Sequence, residues 1–196
     1  MRRGQEVHAA AEAYVKGEIK KLPVELELFE EEFAEVLALT KGKRNLAKYD
    51  VFTEQQWAFT KDWVPCDWFH RDTRVRIVVD LGILNKKDNV LTIIDHKTGK
   101  ARPDHEHQRS LYATGGFAKL PGVATINTAM WYLDQGFINT ESNEMEVYER
   151  EQHEELIKRW DKESAPMLRD TKFATTPNRL CGWCDFSKNN GGPCKY

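Results

Sequence analysis

Arg74 to Lys100 reads RVRIVVDLGILNKKDNVLTIIDHKTGK, and the fold of the chain turns on how these residues pair. Two β-branched apolar runs, Val75–Leu84 and Val90–Ile94, flank a polar tip at Lys86–Asn89, the pattern of a β-hairpin. Pairing Asn85 with Val90 and counting outward along both strands sets Asp80 across from Asp95. Opposed residues of an antiparallel pair share a face, with Cβ atoms about 5 Å apart. Lys97 lies two residues beyond Asp95, so a continuing strand carries it to the same side. The hairpin therefore predicts two carboxylates and an ammonium in one place.

Facing carboxylates repel, and without a neutralising partner one pKa rises. A divalent cation removes the conflict, because Mg2+ binds through one or two carboxylates, water and substrate phosphate oxygens. The neighbouring lysine can then orient a water or neutralise a phosphate as the ammonium, or deprotonate a water as the neutral amine. The pattern alone also fits a plainer arrangement, with Asp80 ending a strand and Asp95 and Lys97 forming an exposed ion pair.

At 196 residues, with 40% hydrophobic and 31% charged residues, the chain has room for one sizeable core or one domain with a small appendage. No run of roughly 18 apolar residues occurs, so no membrane span is expected. MRRGQEVH at the N-terminus lacks the apolar stretch of a signal peptide, and a cytoplasmic setting is the default expectation. The net charge of −2 excludes a globally basic nucleic-acid binder, so any nucleic-acid partner must be held locally.

Outward from the hairpin, Arg2–Lys20 carries Val7, Ala10, Ala11, Tyr14 and Val15 at helical spacing, with His8 beside that face and Glu12 one turn on. Taken alone, His8 is as readily a core histidine as a ligand. Leu22–Lys41 repeats the pattern and ends near Gly42, followed by a basic loop of Lys43, Arg44 and Lys48. Tyr49–Lys61 alternates as a strand bearing Glu54. Trp63, Cys66 and Trp68 form an aromatic connection whose rings can be core or can stack unpaired bases. After the hairpin a helix is predicted from Pro103 through Ala113, with Gln108 and Tyr112 on one face and Gly115-Gly116 as its end. Strands at Val123–Leu133 and Glu144–Tyr148 and a helix at Glu151–Lys162 complete the series.

The tail CGWCDFSKNNGGPC leaves two residues between Cys181 and Cys184, and nine between Cys184 and Cys194, which follows a Gly-Gly-Pro turn. In a cytosolic chain this spacing points to soft-metal or iron–sulfur ligation rather than a disulfide framework.

Taken together, Gly4-x3-His8, Glu54, Asp80, the run Asp95-His96-Lys97-Thr98-Gly99-Lys100, Gln108-x3-Tyr112 and the terminal cysteines resemble the RecB-like branch of the PD-(D/E)XK nuclease superfamily. The CRISPR-associated iron–sulfur exonucleases and their phage relatives look most similar. The resemblance spans nearly the whole chain. It implies an α/β fold, a central mixed β-sheet flanked by helices in a restriction-endonuclease-like core. A nuclease domain over residues 1–175 and a cysteine-rich tail over 176–196, packed on it, are expected. It makes His8, Asp80 and Asp95 metal ligands together with the His96 carbonyl, and Lys97 the catalytic lysine alongside Asp80 and Asp95. Gln108 and Tyr112 become DNA-positioning residues and Glu54 a supporting one.

Implied with these are Mg2+ or Mn2+, a DNA substrate, and protein partners in recombination or CRISPR adaptation. The expected activity is phosphodiester hydrolysis by an exonuclease on DNA ends or single strands. An endonuclease of structure-selective or restriction type, or a non-cleaving DNA-binding module, is the alternative. The resembling proteins take one cluster cysteine from a segment before the first helix. Here Cys66 is the one cysteine left to join Cys181, Cys184 and Cys194 around a [4Fe–4S] cluster or Zn2+. The expectation is that Met1 is an internal methionine of a longer protein and that this chain comes out cluster-poor or zinc-loaded.

Overall fold

The computed structural model describes residues 2–102, 104–139 and 144–195. Its contacts divide the chain into two units, Met1–Trp160 and Asp161–Tyr196. In the first, a seven-stranded mixed sheet carries helices on both faces. In the order of the chain, α1 (Arg2–Val15), a 3-10 turn (Val24–Phe29), α2 (Glu30–Leu39) and the short α3 (Lys43–Lys48) precede β1 (Tyr49–Phe59), β2 (Pro65–Cys66), β3 (Val75–Asn85) and β4 (Val90–Lys97). Helix α4 (Asp104–Lys119) then crosses to β5 (Thr125–Tyr132), followed by β6 (Phe137–Ile138), β7 (Glu146–Glu149) and α5 (His153–Arg169). The expected start of α4 at Pro103 lies outside the described residues.

The sheet order is β2-β1-β3-β4-β5-β6, and β7 also pairs with β5. β3 and β4 form the expected hairpin, in register from Asn85↔Val90 to Leu81↔Ile94. β4 and β5 run parallel from Val90↔Thr125 to Lys97↔Tyr132, the connection that a crossover helix permits.

Two cores hold the layers together. One packs Tyr112, Ala113 and Phe117 of α4 and Leu156 of α5 against Trp57, Phe59, Ile77, Val79, Leu91 and Ile93. The other packs Val7, Ala11 and Tyr14 of α1 with Leu26, Phe29, Phe33 and Val36 against Leu81, Ile94, Ala129 and Trp131. β3 serves both: Val75, Ile77 and Val79 face the α4 side, whereas Leu81 and Ile83 face the α1 side. The side-chain alternation therefore changes phase at Asp80.

Four elements differ from the sequence expectation. Helix α1 ends at Val15, where Gly17 at φ +73° turns the chain, and the second helix is broken at Phe29 (φ −128°, ψ 32°). The basic stretch expected as a loop is helix α3. Gly115 and Gly116 do not end α4 but lie within it: a Cβ on Gly115 would sit 2.5 Å from Ile77 Cδ1, and one on Gly116 2.7 Å from Ile126 Cδ1. They are glycines because the helix lies close on the sheet.

The second unit contains 3-10 turns at Arg179–Trp183 and Lys188–Asn190, joined by the Asn190 amide donating to the Gly182 and Cys184 carbonyls. No helix among the described residues is long and apolar enough to cross a membrane.

At the centre of β3, a Cβ on Gly82 would stand 2.1 Å from the Phe52 ring of β1. Gly82→Ala is expected to destabilise the protein by about 1–3 kcal/mol, and the added Phe52→Leu change to recover part of that loss. Chemical denaturation of the two single variants and the double variant measures the coupling.

Candidate metal centre

The β3–β4 ladder stops at Leu81↔Ile94, one step short of the pair that would join Asp80 to Asp95. In place of that step, the Asp80 side chain fills the gap and its Oδ2 accepts the His96 amide N–H at 2.7 Å. On the other flank of Asp80, Glu54 of β1 drops out of the β1–β3 ladder between Thr53↔Leu81 and Gln55↔Val79, with φ +49°. From α1, His8 places Nδ1 3.5 Å from Asp80 Oδ2 and 3.7 Å from Glu54 Oε1. One donor atom from each of His8, Glu54 and Asp80 lies within 4.8 Å of the others.

A second network surrounds Asp95. Lys97 Nζ lies 2.6 Å from Asp95 Oδ2 and donates to Gln108 Oε1 at 2.7 Å. Gln108 Nε2 donates to Asp95 Oδ1 at 3.1 Å and to the Tyr112 hydroxyl at 2.8 Å, and Tyr112 in turn donates to Asp95 Oδ1. Both ends of the Gln108 amide are thus engaged, its oxygen by the ammonium and its NH2 by the carboxylate and phenol, which fixes its orientation.

The electrostatics follow from burial and like charge. Burial raises the Asp95 pKa, the Asp80 charge raises it further, and Lys97 only partly offsets them. Burial also lifts Glu54, again with help from Asp80. At Asp80 burial works in the same direction, but the hydrogen bond and charge of His8 and the backbone amide of His96 outweigh it and leave the carboxyl below its ordinary value. The hydrogen bond to Asp80 raises His8 to about 9 against the opposing effect of burial. Complete burial pushes His96 down to about 4.

A model of the PD-(D/E)XK nuclease superfamily matches residues 1–188. The chain belongs to that superfamily. Asp80, then Asp95-His96-Lys97, stand in the order the superfamily's name spells out. No curated protein and no solved structure matches the chain. Superfamily membership gives the chain the plan of a metal-dependent nuclease acting on DNA, and the mixed sheet between helices is its restriction-endonuclease-like α/β core.

The residues fit a hard divalent cation of the Mg2+ or Mn2+ kind. An imidazole and carboxylates converge, and the carboxyls of Glu54 and Asp95 are driven towards protonation by burial and by the Asp80 charge, which a cation would neutralise.

Not every expected residue stands where the sequence put it. Glu54, expected as support, is in the donor group. The His96 ring is walled in by Phe33, Trp131 and His8 at centroid distances of 5.5, 5.8 and 5.9 Å, so its imidazole is outside that group. Its backbone has the opposite disposition. The Lys97 carbonyl accepts from Leu133 on the β5 side, so strand alternation turns the His96 carbonyl with its N–H towards Asp80. Tyr112, expected to position DNA, is 3% exposed with its hydroxyl on Asp95.

Among the described residues, Cys181, Cys184 and Cys194 form no convergent donor group of three, and Cys66 lies 3.6 Å from the Thr73 hydroxyl. Nothing in the sequence singled out Asp134, which accepts from the Gly99 amide at 2.6 Å and from both Arg3 nitrogens, tying the Thr98-Gly99 turn to α1.

The raised His8 pKa has a sign that can be measured without metal. The protonated form is favoured in the folded state, so its stabilisation is complete below the unfolded value near 6.5 and is lost as pH rises through about 9. Denaturation in EDTA between pH 6.5 and 9.5 should show a loss on the order of 2 kcal/mol, discounted for the side chain's partial exposure. His8→Gln should flatten that slope.

Proposed function

We propose that the protein is a metal-dependent deoxyribonuclease, an exonuclease acting on DNA ends or single strands. The observation that carries this reading is the Lys97 ammonium held against Asp95 and Gln108 beside the His8, Glu54 and Asp80 donor group. Within the superfamily, the order Gly4-x3-His8, Glu54, Asp80, Asp95-His96-Lys97 and Gln108-x3-Tyr112 supports the RecB-like branch.

His8, Asp80, Asp95 and the His96 carbonyl would hold Mg2+ or Mn2+, and Glu54 joins them on the geometry. A cation bound there would supply polarisation of the scissile phosphate and a lowered pKa for a water. Lys97 orients a water through its ammonium, and Gln108 keeps the ammonium aimed while it and Tyr112 hold the carboxylate of Asp95. The aromatic wall of Phe33 and Trp131 around His96 keeps solvent from the rear of the site.

The test is the purified protein on end-labelled linear and on circular single-stranded DNA, with Mg2+, Mn2+ or EDTA. Cutting of the linear DNA alone is the expected result, and cutting of the circle would make the enzyme an endonuclease. Asp80→Asn should lose Mn2+ binding and cleavage together. Lys97→Ala should retain Mn2+ by calorimetry while losing about 10²–10⁴-fold in rate. Full cleavage by Lys97→Ala would remove the lysine from the chemistry.

The terminal cysteines are proposed as a separate metal-loading element of the second unit. Because their thiols do not converge, iron, sulfide and zinc analysis after anaerobic purification should find fewer than the four irons of a complete cluster.

A further inference from the structure

The connection between β2 and β3 presents side chains for which the metal centre has no use. It reads Asp67-Trp68-Phe69-His70-Arg71-Asp72-Thr73-Arg74, and Phe69 at its tip is 86% exposed. The turn beneath that ring is well tied. The His70 amide donates to the Asp67 carbonyl at 3.0 Å, the Thr73 amide to the His70 carbonyl at 3.0 Å, and the Thr73 hydroxyl to the Asp67 carbonyl at 3.2 Å. Phe69 is therefore held out into water by an ordered loop.

Arg76 of β3 stacks under both rings of the loop. Its guanidinium carbon lies 5.5 Å from the Trp68 centroid and 5.7 Å from that of Phe69, and its Nε donates to the Trp68 carbonyl at 2.7 Å. The result is a rigid surface of two rings and a planar cation. Arg71 and Arg74 stand exposed on the same loop, and Asp72 is engaged by Arg71 at 3.4 Å. From Asp67 to Arg76 three arginines meet two aspartates, a local positive excess in a chain of net charge −2.

Position ties this surface to the metal centre. Arg76 and Val78 alternate with Ile77 and Val79, which are buried on the α4 side, so they lie on the other face of the sheet. There Val78 and its cross-strand partner Gln56 are exposed. Two residues further along β3 comes Asp80, with His8 and Glu54. Four steps at about 3.3 Å each put Arg76 about 13 Å from Asp80 along the strand, a span of a few nucleotides. The exposed Gln56 and Val78 thus lie between the rings and the donor group.

We propose that Trp68, Phe69 and Arg76 form a stacking platform for unpaired bases of the DNA strand whose phosphate lies at the His8, Glu54 and Asp80 group. The proposal rests on the nuclease reading, narrows its substrate to the single strand and adds the residues that hold the unpaired bases. Ring faces and guanidinium planes bind any unpaired base by stacking, whereas bases in a duplex already have both faces covered. Arg71 and Arg74 provide phosphate contacts beside the rings.

The full chain is tested with a fluorescein-labelled thymidine oligonucleotide by anisotropy in EDTA, and with 2-aminopurine placed within a single strand as a stacking probe. Cleavage by the wild type with Mn2+ is read separately. Phe69→Ala should weaken oligonucleotide binding by on the order of tenfold and relieve the 2-aminopurine quench. Phe69→Tyr should restore both, and Arg76→Lys, which keeps the charge but not the plane, should not. A wild type that cuts DNA while Phe69→Ala binds the oligonucleotide as tightly overturns the platform and leaves the nuclease reading intact. Phe69-dependent binding by a wild type that cuts nothing overturns the nuclease reading and upholds the platform. Absence of oligonucleotide binding in both proteins overturns the platform and leaves Phe69 for a protein partner.

Discussion

The amide of His96 donates to the carboxylate of Asp80 and not to a backbone carbonyl, and the arrangement of the site depends on that substitution. A ladder amide left without an acceptor in the interior would cost about 1–3 kcal/mol. The Asp80 side chain meets that requirement from the point where β3 and β4 part. Once there it cannot lie on either face as an ordinary strand residue does, and it sits between the strands instead. This is why β3 passes from the α4 core to the α1 core across a single residue, and why an imidazole from α1 reaches the same carboxylate.

From that position Asp80 sets the charge state of its neighbours. It holds His8 protonated at neutral pH and pushes Asp95 and Glu54 towards protonation. Lys97 cannot relieve all three carboxylates, since its ammonium is committed to Asp95 and Gln108. The remaining negative charge is the attraction available to a cation, and if His8 is a ligand its proton would have to leave as the cation enters, coupling binding to proton release. Asp134, with its contacts to Gly99 and Arg3, keeps the turn after Lys97 fixed to the helix that carries His8.

The hairpin register was legible because a short polar tip between β-branched runs leaves little freedom in pairing, and Asn85↔Val90 places Lys97 beside Asp95 directly. The change of face at Asp80 was not. Val75, Ile77, Val79, Leu81 and Ile83 keep the apolar period of two throughout, and with helices on both faces either side is apolar, so the pattern carries no trace of the switch. Glu54 was undervalued for a related reason: its place opposite Asp80 follows from the β1–β3 register, which no tight turn fixes. Gly115-Gly116 carries the usual signal of a helix end, yet it meets a different demand, close approach of α4 to Ile77 and Ile126. Phe33 and Trp131 are core residues that also form the wall around His96.

Glu54 brings the strain and the chemistry together. A left-handed backbone in a non-glycine residue costs about 1–2 kcal/mol, and such a conformation persists where the surroundings over-determine it. Here five ladder pairs from Tyr49↔Asn85 to Thr53↔Leu81 lie on one side of it and five from Gln55↔Val79 to Phe59↔Val75 on the other, all in one register. Relaxing φ at residue 54 by slipping one strand would turn Trp57 and Phe59 out of the α4 core, a far larger loss than the strain. A glycine would adopt the same φ at little cost but would bring no carboxylate. The strand therefore retains the strained glutamate, and the ten flanking pairs hold its oxygens within reach of His8 and Asp80.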